Sequence, residues 1–431
     1  MLGYINDHSI RALHTWYRLL IEKHGILSTE EQQFWKNIIR LGLVSSENDY
    51  FKNYYKEFLK CDLLFNNNIN LDISKLCELS LSMNCNRLVF INGQLSSELS
   101  DTIIDPWILT IESKKLDCHN KNINSIHSAM FLFLTECLNN YIINIKLPKY
   151  ITTKKPLYLL YISEGSSTPN QLFTSHYRHH IEIEKNTDAC IIEHFVSINS
   201  YGHFVGDYMT ISTGEKSKLS HIKLILENRS SYHISHQDIN LKKSASIKSN
   251  IFIVNGPKFT YHQTNSQINH EKTSFLLNSL MFLSNKDIGK IRTYVEHNNH
   301  NYSVSKQVHK IIAYDCSTGI FNGLIKVKKN SIETDGKMIN NNLLLSKSAA
   351  IYSTPKLEIY SDAVQCSHGA TIGQIDYNHV FYLNTRGISK QDALIMLISA
   401  FTAEIIENIQ NPLLKKILIQ KINHTLTRIT I

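Results

Sequence analysis

The apolar positions at the start of the chain recur with the spacing of an amphipathic α-helix. Residues 8–24 place their apolar side chains on one helical stripe, and Gly25 follows as a residue that readily adopts the left-handed conformation at helix ends. Thr29 and Gln32 have the spacing of a capping box, which predicts a second helix through Arg40. The chain is therefore expected to begin with two helices.

The pattern becomes mixed over residues 46–150. Residues 87–91 read as a strand that enters a turn at Asn92-Gly93, a dipeptide typical of two-residue β-hairpins. Residues 128–143 have the pattern of a helix. We predict that residues 1–150 form an N-terminal helical and mixed α/β domain.

Short strand-like segments dominate residues 156–386. Residues 190–198 and 219–227 are examples, and polar turns such as residues 186–188 separate the segments without an intervening amphipathic helix. This pattern indicates an all-β architecture, namely a sandwich, a barrel or a solenoid. A solenoid is favoured, because a sandwich of this extent would normally divide into two domains. We predict that the β core spans residues 151–387.

The last part of the chain returns to a helical pattern, and residues 388–431 form a predicted C-terminal helical domain. Ser389 and Asp392 have the spacing of a cap for one helix, and Asn411 followed by Pro412 predicts the start of another. The apolar face of the first helix is wide for a terminal hairpin, so part of it is expected to dock onto another chain. This face consists of Leu394, Leu397, Ile398, Phe401 and Ile405.

Composition narrows the possible partners and compartments. Hydrophobic residues make up 42% of the 431 residues, which is enough for a substantial core, and the net charge is +8. No stretch concentrates Lys or Arg, so we expect no nucleic-acid binding. No apolar run approaches the roughly 20 residues of a membrane-spanning helix, and the first residues lack the pattern of a signal peptide. We therefore expect a cytoplasmic protein that does not enter a membrane.

Common catalytic and cofactor-binding motifs are missing from the sequence. There is no phosphate-binding Gly-x-x-x-x-Gly-Lys-Ser/Thr loop, no dinucleotide-binding Gly-x-Gly-x-x-Gly after a strand, and no His-Glu-x-x-His or Gly-x-Ser-x-Gly. The eight cysteines include no Cys-x-x-Cys pair, which excludes the usual zinc-finger spacings and does not indicate a disulfide scaffold. The chain is therefore predicted to be non-catalytic and to hold no cofactor stably by itself.

The densest group of imidazoles is His176-Tyr-Arg-His179-His180. On a strand, His176 and His180 point to one face and His179 to the other, so at most two rings converge. Because a metal site needs three or four donors, a structural or surface role is favoured for this group and for Glu193-His194.

The sharpest local feature is Cys366-Ser367-His368-Gly369. The i, i+2 spacing on a strand puts the thiol and the imidazole on one side. A soft thiolate beside an imidazole suits Fe, Zn or Cu(I), and would alternatively give an activated thiol. Two donors are too few for a closed metal site, so a functional site here must borrow ligands from elsewhere in the chain or from another chain. A buried cysteine beside a hydrogen-bonded histidine is the purely structural alternative.

The surroundings of this tetrapeptide resemble the C-terminal signature of the SufD family of iron–sulfur cluster assembly scaffolds. The resemblance is strong over residues 155–410 and weaker before them. The matching segments are residues 176–180, 192–197, 321–325, 334–338, 340–346, 355–373 and 381–389.

The resemblance implies a mainly β protein, with a right-handed parallel β-helix core between an N-terminal α/β domain and C-terminal helices. It implies a heterodimer with the paralogue SufB, and docking of the SufC ATPase on the C-terminal helices. In the family, a His at the position of His368 lies at the SufB–SufD interface, with Cys366 in the companion position. We therefore expect both residues to act as transient metal ligands, shared with SufB, for a nascent iron–sulfur cluster. ATP would bind only through SufC.

Other interpretations stay open at this point. A SufB-type paralogue is disfavoured, because SufB-like chains carry a Cys in the Asn-rich segment where residues 340–346 have none. A purely structural partner that keeps SufB folded is a second alternative. A third is a β-helix enzyme acting on a polymer, which would need a groove of carboxylates or basic residues on facing turns that the sequence does not reveal.

Overall fold

A computed structural model of the chain describes residues 7–25, 32, 33, 35, 36, 38, 39, 57–66, 71–113, 130–139, 141–298 and 302–427. The helices are α1 (Asp7–His24), α2 (Ile73–Leu79), α3 (Met130–Leu138), α4 (Tyr377–Thr385), α5 (Lys390–Ile406) and α6 (Pro412–Leu426), with a 3₁₀ turn at Phe58–Lys60. The strands are β1 (Asp62–Leu64), β2 (Asn86–Ile91), β3 (Gln94–Ser96), β4 (Ile108–Ser113), β5 (Tyr141–Leu147), β6 (Leu157–Ser163), β7 (Gln171–Ile183), β8 (Asp188–Ser197), β9 (His203–Thr213), β10 (Lys218–Ile225), β11 (Tyr232–Leu241), β12 (Ser246–Val254), β13 (Phe259–Ile268), β14 (Ser274–Leu283), β15 (Ile288–His297), β16 (Val304–Ala313), β17 (Thr318–Val327), β18 (Thr334–Leu344), β19 (Ala350–Ile359) and β20 (Val364–Gln374).

Successive strands alternate between two sheets from β5 onward. The first sheet has the order β19-β17-β15-β13-β11-β9-β7-β5-β4, with β1 also paired to β7, and the second has the order β20-β18-β16-β14-β12-β10-β8-β6-β2-β3. The strands from β5 to β20 pair in parallel with one another within each sheet, whereas β5 pairs antiparallel with β4. Two consecutive strands therefore form one coil of a parallel β-solenoid. The prediction of a mainly β solenoid is confirmed.

A residue with positive φ recurs where the coils turn from the first sheet to the second. Asn186 has a φ of 54°, and Lys216, Ser244 and Lys272 take the same position in later coils, with φ values of 55° to 57°. Backbone hydrogen bonds link these turns from coil to coil, as from the Lys216 N–H to the carbonyl of Lys243. The stacked turns keep successive coils in register.

The space between the sheets is filled largely by apolar side chains that point inward at every second strand position. Their burial supplies the main driving force for closing each coil. Buried examples from the second sheet and the first are Ile191, Leu219, Ile247, Phe275, Ile311, Ile239, Ile291 and Ile325.

Helices cover the outer faces of both sheets. On the first sheet, Trp16 of α1 and Phe131 of α3 join a cluster in which the Phe58 ring lies 4.9 Å from Phe204 and 5.1 Å from Tyr232. The aromatic face of the first helix is therefore part of a core. On the second sheet, α5 and α6 pack against the strands. The buried residues of this second contact include Ile398, Ile405, Leu414, Leu418, Ile422, Phe252 and Phe282. The prediction of N-terminal α/β and C-terminal helical parts on either side of the solenoid in the sequence is confirmed.

Two local predictions are confirmed. The first helix is α1, which spans Asp7–His24. The Asn92-Gly93 hairpin joins the antiparallel strands β2 and β3, with φ values of 45° and 87° at the two turn residues. The second predicted helix, over residues 29–40, has helical backbone at the described positions, and its ends lie outside the described residues.

Two other predictions were wrong in part. The helix predicted over residues 128–143 is only α3, which ends at Leu138, and the strand β5 begins at Tyr141. The strand-rich region ends with β20 rather than at Arg386, because α4 begins at Tyr377. The domain boundaries at residues 150 and 387 stay predictions. Within the described part of the chain, none of the helices combines the length and the apolar character needed to span a bilayer.

Candidate functional site

Cys366 and His368 lie on one side of β20, the last strand of the second sheet. In the parallel pairing with β18, Cys366 is opposite Gly336 and His368 is opposite Met338. Met338 is fully buried in the core between the sheets, and Cys366 packs against the same core. The two donors therefore occupy inward-facing positions of the final coil, on the same side of the strand, as the i, i+2 spacing predicts.

The two side chains differ in their surroundings. Cys366 is half-buried, whereas His368 is exposed to solvent. Burial raises the pKa of the Cys366 thiol, so the thiol carries its proton at neutral pH in the isolated chain. A thiol must lose this proton before it can bind a metal ion. The pair therefore offers one solvent-exposed imidazole and one thiol that has to lose its proton before it can bind a metal ion.

The coordination shell of the pair is incomplete. Across the residues that the structure describes, no group of three or more His, Cys, Asp or Glu side chains is placed to hold a metal ion. A tetrahedral site built on thiolate and imidazole needs four ligands, or three with an open position. Cys366 and His368 can therefore contribute to a metal site only if other residues or another molecule supply the remaining ligands.

A pair of buried asparagines holds the strand of the candidate site in place. Asn340 and Asn342 of β18 exchange side-chain hydrogen bonds of 3.0 and 2.6 Å. Ser353 of β19 donates to Asn340, and Asn342 donates to the carbonyl of Thr371 on β20 at 3.1 Å. Because unpaired buried amides are costly, these bonds fix the position of both terminal strands.

The final coil leaves one end of the solenoid open. Among the described strands, β19 and β20 have a neighbour on one side only, and almost every residue of β20 is exposed. Several large apolar side chains are also exposed there. Edge strands of this kind can be extended by a strand of another chain. The exposed apolar residues on these strands and just after β19 are Tyr352, Ile359, Tyr360 and Ile372.

The structure covers much of the helical face that the sequence suggested for docking. Leu394, Ile398 and Ile405 of α5 are 6%, 1% and 0% exposed, and Leu397 and Phe401 are half-buried. Ile398 and Ile405 pack against the second sheet, and Leu394 packs against α4. The three buried side chains are thus already in contact with their own chain.

Exposed aromatic side chains instead lie on α4. Tyr377, Phe381 and Tyr382 are 57%, 70% and 57% exposed, and Met396 on the adjacent helix α5 is 50% exposed. Asp376 caps α4 by accepting a hydrogen bond from the N–H of Asn378. Sequence reasoning missed this surface because it placed residues 377–385 in the strand-rich region.

The histidine group at residues 176–180 has partners within the chain. His176 shares a hydrogen bond with Thr174, and His180 shares one with Thr210, each at 2.7 Å. His179 is buried between the sheets, and burial lowers its pKa to about 4, so it is neutral at physiological pH. These contacts agree with the structural role that was favoured for the group.

A network of buried charged and polar side chains crosses the interior of the solenoid, and sequence reasoning missed it. Neighbouring members lie 2.6 to 3.4 Å apart. The signal was present in the sequence, because Lys223 is an even number of positions from Leu219 and Ile225, whose side chains point inward, and so lies on the same side of the strand. In the order of their contacts, the members of this network are His203, Glu227, His233, Asp207, Lys223, Glu193, His221 and Ser249.

Opposite charges stabilise this buried network. Burial by itself would raise the pKa of Glu227, but His233 and His203 outweigh burial and hold the pKa at about 2. Burial would likewise lower the pKa of His233, but Glu227 and Asp207 raise it to about 9. His233 is therefore an imidazolium beside two carboxylates at neutral pH. This network connects the five strands from β8 to β12, whereas Cys366 and His368 lie on β20.

Comparison with known proteins places the chain in a family. The family model described as "SUF system FeS cluster assembly, SufBD core domain" matches residues 164–401, more than half of the chain. The iron–sulfur cluster assembly protein SufD of Escherichia coli K12 is 35% identical over 420 residues, which cover 97% of this chain and 98% of that protein. An iron–sulfur cluster assembly SufBD family protein of Synechocystis is 29% identical over 75% of this chain and 74% of its own length. The chain therefore belongs to the SufBD family of the SUF system, which takes part in iron–sulfur cluster assembly.

Proposed function

We propose that this chain is a scaffold subunit that pairs with the paralogue SufB, binds the ATPase SufC, and contributes Cys366 and His368 to the formation of a nascent iron–sulfur cluster. One observation carries the proposal. A thiol and an imidazole share the inward side of a terminal strand at the open end of the solenoid. The iron and sulfide of the cluster are cargo, and SufB would supply the donors that complete the shell.

The open end supports pairing with a paralogue. A second solenoid with the same coil spacing can place a strand beside β19 and another beside β20, which would continue both sheets. Such a junction would bury the exposed Tyr352, Tyr360 and Ile372. It would also bring the partner's side chains next to Cys366 and His368, where a cluster needs further ligands.

The C-terminal helices support docking of the ATPase. Tyr377, Phe381 and Tyr382 form an exposed aromatic surface on α4, beside Met396 of α5. Aromatic residues and methionine are enriched in protein interfaces. We propose that SufC binds this surface, and that Ile398 and Ile405 transmit its movement to the second sheet, against which they pack. ATP would then act on the scaffold only through SufC, and the chain itself would be non-catalytic.

Co-expression with SufB and SufC tests the proposal. His368→Ala and Cys366→Ala are compared with Ser367→Ala, a matched control on the opposite side of the same exposed strand. Each complex is purified without oxygen, sized, and assayed for iron and acid-labile sulfide. We expect the two donor variants to assemble normally with several-fold less iron and sulfide, and the control to match the unmodified complex.

Three results would count against the proposal. Full cluster content in both donor variants would leave the chain as a purely structural partner of SufB. Failure of the unmodified chain to form a complex with SufB would remove the shared site altogether. A stable cluster on the isolated chain would contradict the need for a second polypeptide.

A further inference from the structure

Gly336 lies directly beneath the sulfur of Cys366. The two residues are paired in the parallel register of β18 and β20, and Ser305 of β16 occupies the same column one coil earlier. The next inward position of β18 is Met338, which is fully buried opposite His368. The segment Thr334-Asp-Gly-Lys-Met thus puts its smallest residue under the thiol and a large residue under the imidazole.

Space, rather than backbone conformation, explains the glycine. Gly336 is not among the glycines with positive φ, so any L-residue could adopt its backbone conformation. A Cβ atom at this position would lie 3.1 Å from Sγ of Cys366, closer than such contacts normally are. The next neighbours, Cγ2 of Ile325 at 3.5 Å and Oγ of Ser305 at 3.8 Å, would be at ordinary contact distance. The sulfur alone occupies the space that a side chain would need.

The glycine therefore supplies the gap into which the sulfur fits. A methyl group at residue 336 would displace the sulfur by a few tenths of an ångström or turn it to another rotamer. Since Ile325 and Ser305 close the inner side, the sulfur would move toward the open end.

We propose that Gly336 is a positioning residue, which seats the sulfur of Cys366 at the depth and orientation needed at the shared cluster site. This inference rests on the function proposed above for Cys366. A donor has to be held close to its productive geometry by the residues that support it. Gly336 provides that support without touching the cluster.

The rate at which the Cys366 thiol is alkylated in the isolated chain tests whether Gly336 positions the sulfur. Gly336→Ala is compared with Gly369→Ala. Gly369 lies on β20, the strand that carries Cys366, and a methyl group added there would have no atom within 4 Å. Iodoacetamide labelling at one fixed pH is followed by mass spectrometry of the Cys366 peptide, with the exposed Cys316 as an internal reference. We expect Cys366 to react several-fold faster in Gly336→Ala and at the original rate in Gly369→Ala. An unchanged rate in Gly336→Ala would overturn the proposal.

A double-mutant cycle separates positioning from a general loss of stability. Free energies of unfolding are measured for Gly336→Ala, Cys366→Ala and the double variant. If the methyl group collides only with the sulfur, Gly336→Ala destabilises the chain with Cys366 present and has little effect in the Cys366→Ala background. Equal destabilisation in both backgrounds would mean that the glycine serves another contact, and the proposal would fail.

Cluster content in the complex with SufB and SufC distinguishes this inference from the function on which it rests. Normal iron and sulfide in Cys366→Ala would refute the proposed role of Cys366, while the alkylation result would still report on the seat. A loss in Cys366→Ala with normal content in Gly336→Ala would refute the role of Gly336 alone. We expect a partial loss in Gly336→Ala, and no additional loss when it is combined with Cys366→Ala.

Discussion

Nζ of Lys223 lies 2.7 Å from Oδ2 of Asp207, and this contact crosses the interior of the solenoid from the second sheet to the first. Both side chains are buried, and Glu193 lies 3.4 Å from the same nitrogen. Burial would lower the pKa of Lys223, but the two carboxylates outweigh burial and raise it. The lysine is therefore charged, and it balances two carboxylates that water does not reach.

The first prediction concerns the loss of this cation. Lys223→Met leaves Asp207 and Glu193 as buried carboxylates without their lysine, which is expected to lower the free energy of unfolding by about 3–5 kcal/mol. Lys146→Met is the control, because Lys146 pairs with Glu182 and Glu184 at the surface, where such pairs contribute about 0–1 kcal/mol. Denaturant unfolding measures both. Similar values for the two variants would show that the buried contact is not needed for stability.

The second prediction is a loss of stability at alkaline pH that depends on His233. Its folded pKa of about 9 lies above the ordinary value of 6.5, so the folded state binds the proton more tightly than the unfolded chain. The resulting stabilisation is complete below pH 6.5, declines above it, and is lost once the pH passes about 9. At about 1.4 kcal/mol for each pKa unit, the contribution at stake is about 3 kcal/mol.

Unfolding of the unmodified chain and of His233→Gln between pH 6 and 10 measures this dependence. We expect the stability difference between the two chains to shrink as the pH rises, because only the unmodified chain has the imidazolium to lose. A difference that stays constant over this range would contradict a charged His233. The same difference is expected to shrink in acid, since Glu227, with a pKa of about 2, then becomes protonated and no longer pairs with His233.

The sequence pattern predicted correctly those helices and strands that are determined by the residues within the element itself. The helix at residues 8–24 has a regular apolar stripe and appears as α1. The shared side of Cys366 and His368 follows from the two-residue period of a strand. Residues 128–143 behaved differently, because every side chain of α3 is buried, including the polar Thr135 and Glu136, and a helix buried on all sides shows no apolar stripe that marks its end.

Long-range packing decided what the sequence did not reveal. Leu394, Ile398 and Ile405 share an apolar face, but the pattern does not tell whether the chain itself or a partner covers it. The contact of α5 with the second sheet answers that question for Ile398 and Ile405. Gly336 and Cys366 are likewise thirty positions apart in the sequence, and only the register of β18 with β20 brings them together.

The third prediction concerns Lys310, which joins the solenoid to α5. Its Nζ donates to the carbonyl of Phe401 and pairs with a Glu404 oxygen, each at 2.6 Å, and it lies 4.6 Å from the centre of the Phe401 ring. Lys310→Met removes charge-assisted bonds that contribute about 1.5–3 kcal/mol. We expect faster amide exchange in residues 390–406 and little change in β10 or β12.

Lys415→Met provides the matched control for this exchange experiment. Lys415 also pairs with a glutamate of the C-terminal region, Glu407, but at 3.7 Å and near the surface. Hydrogen–deuterium exchange followed by mass spectrometry compares the two variants with the unmodified chain. Protection of α5 that is equal in all three would show that apolar packing alone holds this helix on the sheet.

The fourth prediction separates the exposed aromatic surface of α4, where we propose that SufC docks, from the buried face of α5. Phe381→Ala is expected to weaken binding to purified SufC roughly tenfold or more, since exposed aromatic anchors often dominate an interface. Tyr150→Ala is the control, because Tyr150 is about as exposed, at 64%, but lies in the turn after β5. Ile398→Ala, by contrast, removes a buried contact, which is expected to lower the free energy of unfolding by about 2–5 kcal/mol. Calorimetric titration measures the affinities, and thermal unfolding shows that the Phe381 variant remains folded. If Phe381→Ala binds SufC as tightly as Tyr150→Ala does, the aromatic surface of α4 is not where the ATPase docks.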